Sequence, residues 1–386
     1  MPSTDDKVLP LSPSAESGPH RNLVSAMPFN LIRCPPRLAA ALRMLVATLA
    51  LAGSQAGAAT DTEPPQHLRD TGLYAAGMGT EVRAENLPFT PQYPLWSDGT
   101  RKRRWLYLPP GTAIDASQPD AWDFPRGTRV WKEFAYDRPV ETRYIERRAD
   151  GSWLFATYVW SEDGSDAVLA PAAGLRALPV TAAPGGRYEV PSRTDCLVCH
   201  ESAAAPLLGV SALQLSPDRD PLAVHAGAAS AADLDLRALA ARGWLRNFPA
   251  AMLQRAPRIA ASSATERAAL GYLHGNCGHC HNDNGAPVPV RLTLAQTVAS
   301  AAASTERVLG TLVNAAGRYR APGGVALVEP GRPDASLMAL RMRSRQPLTQ
   351  MPPLGSHQPD ALGLALIERW ITHDLPSRNV PKETPR

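Results

Sequence analysis

Four of the five cysteines in this 386-residue chain fall into two copies of one short pattern. Residues 196–200 read Cys-Leu-Val-Cys-His, and residues 277–281 read Cys-Gly-His-Cys-His. Two thiols three positions apart on a helical turn can each form a thioether with one edge of a porphyrin, and the adjacent histidine then reaches the iron. The repeated pattern therefore predicts two covalently attached haem c groups, with thioether anchors at Cys196, Cys199, Cys277 and Cys280 and iron ligands at His200 and His281.

Three other kinds of site also use cysteine pairs. Zinc could join both pairs, but zinc-binding pairs are usually about 15 to 20 residues apart, whereas 77 residues lie between Cys199 and Cys277. A reactive dithiol favours one pair at a helix start in a βαβ unit, and a disulfide across two residues closes a small, strained loop. Zinc also leaves the histidine after each pair unexplained, so haem attachment is the favoured interpretation.

The segment after the second motif supplies a candidate for the other face of its iron. Met351 is followed by Pro352 and Pro353, which fix φ and forbid helix, so its thioether is presented from a stiff loop. It lies 70 residues after His281, a workable distance for a small domain that wraps over one porphyrin. By contrast, Met338 and Met342, four positions apart in the helix-like run SLMALRM at 336–342, are interpreted as core residues.

The first motif has no comparable partner. Met252, His225 and Met78 are candidates for the sixth ligand of its iron, and a vacant position is the alternative. Each of the three is also expected as an ordinary core or loop residue. The histidines near the second motif and the methionine loop are predicted to lie at the surface: His274, His279 and His357.

The C-terminal part of the chain resembles class I cytochrome c domains. The residues that carry the resemblance are NCGHCHNDNG at 276–285, EPGRPDASLMALRM at 329–342, MPPLG at 351–355 and DALGLALIERWI at 360–371. The resemblance covers about 110 residues. It implies thioether anchors at Cys277 and Cys280, a proximal ligand at His281 and a distal ligand at Met351.

The chain after its first sixty residues also resembles a poorly characterised family of bacterial dihaem c-type cytochromes. In that family a β-rich region with YPLWSDGTRKRRWLYLPPGTAI, at 93–114, and WDFPRGTRVWKEF, at 122–134, precedes PSRTDCLVCH, at 191–200. The resemblance implies this architecture and brings no substrate.

Hydrophobic patterns predict a β-rich region followed by helices. Residues 140–160 form two alternating runs about a turn at Asp150-Gly151, a strong hairpin signal. Helical patterns follow, and one of them begins at Ser262 or Ser263. The predicted fold is therefore multidomain α+β, with an N-terminal all-β, sandwich-like domain followed by mainly α cytochrome c-type haem domains. Its predicted segments are a secretion signal (1–58), a β-rich domain (59–190), a helical segment with the first motif (191–260), a cytochrome c-like domain (261–376) and a tail (377–386).

Charged residues of the β-rich region have no assigned chemistry. The run Arg-Lys-Arg-Arg at 101–104 is predicted as a solvated turn that leads into an edge strand protected by charge. Steering of an acidic partner, or stacking of a ring on Trp105, is the functional alternative. Asp98, Glu133 and Glu141 are predicted to be exposed, and no catalytic role is assigned to them.

The N-terminal residues predict export. Arginines precede an apolar run at 44–53, and small residues at 54–60 complete the pattern of a cleaved signal, for which Met27 is a possible start. The run holds 10 residues, whereas a bilayer span takes about 20, so the mature chain is expected in the periplasm without a transmembrane anchor. The net charge of +4 comes with no long basic run, so nucleic acid is not an expected partner.

The function that the sequence favours is one-electron transfer by a periplasmic dihaem cytochrome. Its expected partners are redox proteins, such as a dehydrogenase or another cytochrome. Two alternatives stay open. One is a peroxidase-like dihaem enzyme whose first haem iron has a vacant sixth position, and the other is a ligand-binding β module joined to a cytochrome c domain.

Overall fold

The computed structural model describes residues 63–76, 79–284, 290–321 and 324–378. The strands are β1 (Leu87–Pro88), β2 (Arg101–Tyr107), β3 (Ile114–Asp115), β4 (Arg129–Ala135), β5 (Pro139–Arg147), β6 (Trp153–Trp160), β7 (Ala167–Leu169), β8 (Leu175–Pro179), β9 (Arg187–Val190), β10 (Leu245–Arg246), β11 (Ala316–Ala321) and β12 (Gly324–Ala326). The α-helices are α1 (Arg193–His200), α2 (Leu236–Ala241), α3 (Ala251–Gln254), α4 (Ala264–Asn276), α5 (Ala301–Leu312), α6 (Leu337–Arg343) and α7 (Ala361–Arg369). Shorter helical turns cover Leu68–Thr71, Pro184–Gly186, Pro333–Ala335, Trp370–Asp374 and Leu375–Ser377.

A six-stranded antiparallel sheet dominates the first half of the described chain, in the order β1-β2-β4-β5-β6-β7. The predicted hairpin about Asp150-Gly151 is confirmed, since β5 pairs with β6 from Glu141 opposite Val159 to Arg147 opposite Trp153. The sheet and the helices after it confirm the mixed α+β class. The described residues form one compact unit, and the predicted boundaries near 190 and 260 stay predictions.

The two faces of the sheet pack differently because side chains alternate along each strand. One face buries the aromatic rings of Trp131, Tyr144 and Tyr158 against Leu68 and Leu73 of the N-terminal segment. The other face carries Leu106 and Val130, which pack against leucines from 207 to 239. Beyond this apolar patch, the second face continues into the wall of a cavity.

The charged residues of the sheet are more buried than the sequence predicts. The prediction of a solvated basic run is wrong for Arg104, which is only 8% exposed. The prediction of exposed acids is wrong for Asp98, Glu133 and Glu141, which are 8%, 3% and 0% exposed. Each acid has a cationic partner, because Asp98 pairs with His357, Glu133 with Arg103 and Glu141 with Arg143.

The C-terminal half packs its helices around a second core. α4 starts at the predicted cap, where the Ser263 hydroxyl accepts a hydrogen bond from the Glu266 N–H at 2.9 Å. The apolar residues of α4, α5 and α7 then bury one another together with Trp370 and Ile371. Tyr93, from the segment before β2, belongs to this core, and so connects the sheet region to α4.

The contact between Tyr93 and α4 requires glycine. A Cβ atom at Gly271 would lie 2.0 Å from the Tyr93 ring, and one at Gly275 would lie 2.3 Å from the Tyr93 carbonyl oxygen. Only a residue without a side chain allows this approach.

Among the helices of the described residues, none combines the length and apolar character that a bilayer crossing needs.

Replacement of Gly275 tests this contact. Gly275→Ala is expected to lower the free energy of unfolding by about 1–3 kcal/mol, because the new methyl group overpacks a backbone that cannot move aside. Gly310→Ala in α5 is the matched control, since no atom lies within 4 Å of its Cβ position; it should raise stability by about 0.5–1 kcal/mol through helix propensity. Chemical denaturation of both variants measures the difference, and equal stabilities would contradict the contact.

Candidate functional site

The first motif lies on α1, which begins at a reciprocal cap. The Ser192 hydroxyl accepts a hydrogen bond from the Asp195 N–H at 3.1 Å, and the Asp195 carboxylate accepts one from the Ser192 N–H at 2.9 Å. Residues three and four apart share a helix face, so Cys196, Cys199 and His200 project from one side of α1. All three line a cavity of about 530 Å³.

His200 is held in one orientation. Its Nδ1 lies 2.5 Å from the carbonyl oxygen of Pro206, and its ring centroid lies 5.0 Å from that of Phe155. Burial lowers the pKa of His200 to about 4, so the ring is neutral at pH 7. Because a carbonyl oxygen only accepts, Nδ1 carries the proton, and the lone pair of Nε2 is available to a metal.

The second motif forms a tight turn at the end of α4. The Cys277 N–H bonds to the Leu273 carbonyl at 2.9 Å, and the N–H groups of Cys280 and His281 both bond to the Cys277 carbonyl, at 3.1 and 2.9 Å. The Leu294 N–H then bonds to the His281 carbonyl at 2.8 Å. The turn fixes both cysteines and the histidine relative to α4.

His281 is a neutral base inside this turn. Its Nδ1 is buried and has no hydrogen-bond partner among the described residues. Burial lowers the pKa of His281, and the charges of His279 and Arg341 lower it further. A metal-binding histidine must be neutral, so this environment suits the predicted role.

The two motifs meet, although 77 residues separate their nearest cysteines. The ligand atoms of Cys199, Cys280 and His279 lie within 4.8 Å of one another. Asn282, the residue after the second motif, donates to the Ser202 carbonyl beyond the first motif at 3.0 Å. The described cysteines, those of the two motifs, are free thiols.

Both the sheet and the first-motif loop line the cavity around these thiols. The sheet contributes Arg104, Lys132, Arg143 and Phe155 from the face that continues the apolar patch. The loop after His200 contributes alanines and leucines at 203–208. Clefts of about 300–1,000 Å³ with an apolar lining and a few polar groups are typical of cofactor sites.

Met351 and the second motif have a common neighbour in Arg341. Its N–H bonds to the Arg341 carbonyl at 3.0 Å, and the Arg341 guanidinium donates to the Thr349 carbonyl at 2.9 Å. The same Arg341 charge lowers the pKa of His281. Met351 is half-buried, and the prolines that follow it line the cavity.

His225 and Met252, the two described candidates for the predicted sixth ligand at the first motif, are not among the residues that line the cavity. The Nε2 of His225 lies 2.9 Å from both carboxylate oxygens of Asp360. Met252 is half-buried on α3. Met78 lies outside the described residues.

The surface prediction is wrong for two of the three remaining histidines. His274 is half-buried and lines the cavity, and its Nδ1 accepts a hydrogen bond from the Gln296 N–H at 3.0 Å. His279 is also half-buried, beside the two cysteines. His357 is 46% exposed, as predicted, but it is not free: Nδ1 lies 2.9 Å from Asp98 and Nε2 lies 2.9 Å from Glu189.

The carbonyl of Pro206 is a functional group that the motif analysis missed. Its signal is a longer repeat, because a proline follows each motif histidine by six positions, as Pro206 and Pro287. Pro287 lies outside the described residues. Asn282 gave no signal in the sequence, since its contact with Ser202 depends on the meeting of the motifs.

His357 lies between the carboxylates of Asp98 and Glu189, and we call this arrangement the His357 clamp. It makes the free energy of unfolding depend on pH. Burial on its own lowers the pKa of His357, but the hydrogen bonds and charges of Asp98 and Glu189 outweigh it, so the net pKa is raised. Both ring nitrogens donate only in the protonated form. The clamp therefore stabilises the fold below about pH 6.5, the ordinary histidine pKa, and this stabilisation is lost as pH rises through the raised pKa.

We expect the wild type to lose more unfolding free energy than His357→Ala between pH 6 and pH 9. Denaturant titrations at both pH values measure the difference. His373→Ala, at an exposed histidine, is the control and should follow the wild type. Parallel pH profiles for the wild type and His357→Ala would rule out the clamp.

Comparisons with protein-family models, with curated proteins and with solved structures found no match to this chain.

Proposed function

We propose that this protein is a periplasmic dihaem c-type cytochrome that transfers single electrons between redox partners. The observation that carries the proposal is the meeting of the two Cys-x-x-Cys-His motifs: Cys196, Cys199, His200 and Cys280 line one cavity, and the sulfurs of Cys199 and Cys280 lie within 4.8 Å of each other. A chance motif would have no reason to lie beside its copy.

The residues of the first motif fit a haem. Cys196 and Cys199 are free thiols on one helix face, and His200 presents the unprotonated Nε2 because Pro206 holds Nδ1. The Phe155 ring packs against the imidazole, with 5.0 Å between the ring centroids. These groups would hold the first haem, with His200 as the iron ligand.

The second motif fits through the same chemistry. Cys277 and Cys280 flank a turn that fixes His281 as a neutral base. Met351 would supply the thioether opposite it, and a histidine–methionine pair favours a raised reduction potential.

Each bound haem supplies an iron that takes up and releases one electron. The chain would hold the two haems close together, because Cys199 and Cys280 are each an attachment point and their sulfurs lie within 4.8 Å of each other. It also supplies a lining of apolar side chains that limits water at the site. The expected partners are a dehydrogenase or another cytochrome.

The finer architecture belongs to the same proposal. A sandwich-like β domain at 59–190 and a cytochrome c-like domain at 261–376 would be its parts. Export would depend on the signal at 1–58, which lies outside the described residues.

A metal site is the second candidate function. Cys199, Cys280 and His279 offer three ligand atoms of the kinds that zinc prefers. The thiol of Cys199 hydrogen-bonds to Cys280, which raises the pKa of Cys199 to about 12 and lowers that of Cys280. A lowered thiol pKa favours the thiolate that a metal binds.

Haem counting separates the two candidates. In protein produced with the haem c maturation system, Cys196→Ala/Cys199→Ala and Cys277→Ala/Cys280→Ala are each expected to lose one of two covalent haems. Intact-mass measurement and haem absorbance after denaturation give the count. Stoichiometric zinc with no covalent haem would favour the metal site instead.

The ligand assignment of Met351 is tested by absorption. The oxidised wild type should show a methionine-to-iron charge-transfer band, and Met351→Ala should abolish it, because only a bound thioether produces that band. Met338→Ala, in the partly buried packing of α6, is the control and should keep the band. A band that survives in Met351→Ala would refute the assignment.

A further inference from the structure

The sheet side of the cavity carries three basic side chains, of which one pairs with a carboxylate among the described residues. Arg104, Lys132 and Arg143 lie directly opposite one another on β2, β4 and β5, an arrangement in which like charges destabilise a sheet. Arg143 pairs with Glu141 at 2.7 Å. Among the described residues, no carboxylate pairs with Arg104 or Lys132.

These two cations cannot rely on water alone. Arg104 is 8% exposed, and Lys132 packs its Nζ 4.8 Å from the Phe134 ring centroid. Burial, reinforced by Arg104 and Arg143, lowers the pKa of Lys132 well below its ordinary range. Burial without a partner is costly for the Arg104 guanidinium and drives Lys132 toward its neutral amine, whereas a bound anion would stabilise the charged form of both side chains.

The anion would lie next to the first motif. Arg104, Lys132 and Arg143 all line the cavity into which Cys196 and His200 project.

We propose that Arg104 and Lys132 bind the pair of propionate carboxylates of the haem attached at Cys196 and Cys199. This inference rests on the proposed dihaem function. The Arg104 guanidinium and the ammonium form of Lys132 match two carboxylates in charge; an arginine can bind one carboxylate in a bidentate way, and a lysine ammonium can bind the other.

Potentiometric titration and resonance Raman spectroscopy of the holoprotein test the proposal. Loss of a positive charge beside a haem stabilises its ferric form, so Arg104→Met and Lys132→Met should each lower the midpoint potential of one haem and leave the other unchanged. The propionate bending band of that haem should shift as well. Arg104→Lys keeps the charge, so its potential should stay near that of the wild type.

Arg101→Met is the matched control. Arg101 is exposed on the same strand, three residues away and therefore on the opposite face, and its loss should leave both potentials unchanged. The proposal is overturned if Arg104→Met and Lys132→Met carry two haems with wild-type potentials and Raman bands.

Free anions give a separate arm of the test. A wild-type potential that shifts with added phosphate, in a way that Arg104→Met removes, would assign the site to a solute anion and overturn the propionate proposal. Absence of covalent haem from the wild type itself would overturn the proposed function, and this inference with it.

Discussion

The position of the two motifs relative to each other depends on the close approach of Tyr93 to α4. Glycines at 271 and 275 let the tyrosine ring and backbone lie where side chains would otherwise stand. The segment then continues along the helix, and the Trp96 N–H bonds to the Asn276 side chain at 2.7 Å. Because the second motif begins at the next residue, this register decides where Cys277 and Cys280 lie relative to the sheet and the first motif.

The sequence predicts the local elements, but not the meeting of the motifs. The hairpin about Asp150-Gly151 and the cap at Ser263 depend on neighbouring residues, so their signals are local, and both are confirmed. The approach of Cys199 to Cys280 depends on the packing of Tyr93, far from both in sequence, and no periodicity encodes it. Arg104 was predicted to be solvated because a basic run resembles a surface, whereas alternation along β2 turns this residue inward.

The apolar cores of the folded chain do not depend on the cavity. Its large apolar side chains are buried in separate clusters on both faces of the sheet and around α4. The cavity instead is lined by ionisable side chains whose charged forms burial destabilises: Arg104, Lys132 and His200. A bound ligand that pairs with these side chains would offset the cost of their burial. Ligand binding would therefore add to the stability of a fold that apolar packing already specifies.

The segment from Tyr93 to Asp98 connects the end of α4, where the second motif begins, to the loop that follows Met351. One end fixes α4 through Asn276, and the other end holds the loop after Met351, because Asp98 accepts hydrogen bonds from the His357 N–H at 2.8 Å and from its ring. His281 follows the first of these anchors and Met351 precedes the second. A shift of this one segment would therefore move both predicted ligands together, so the β-rich region sets the relative position of predicted ligands that belong to the helical half.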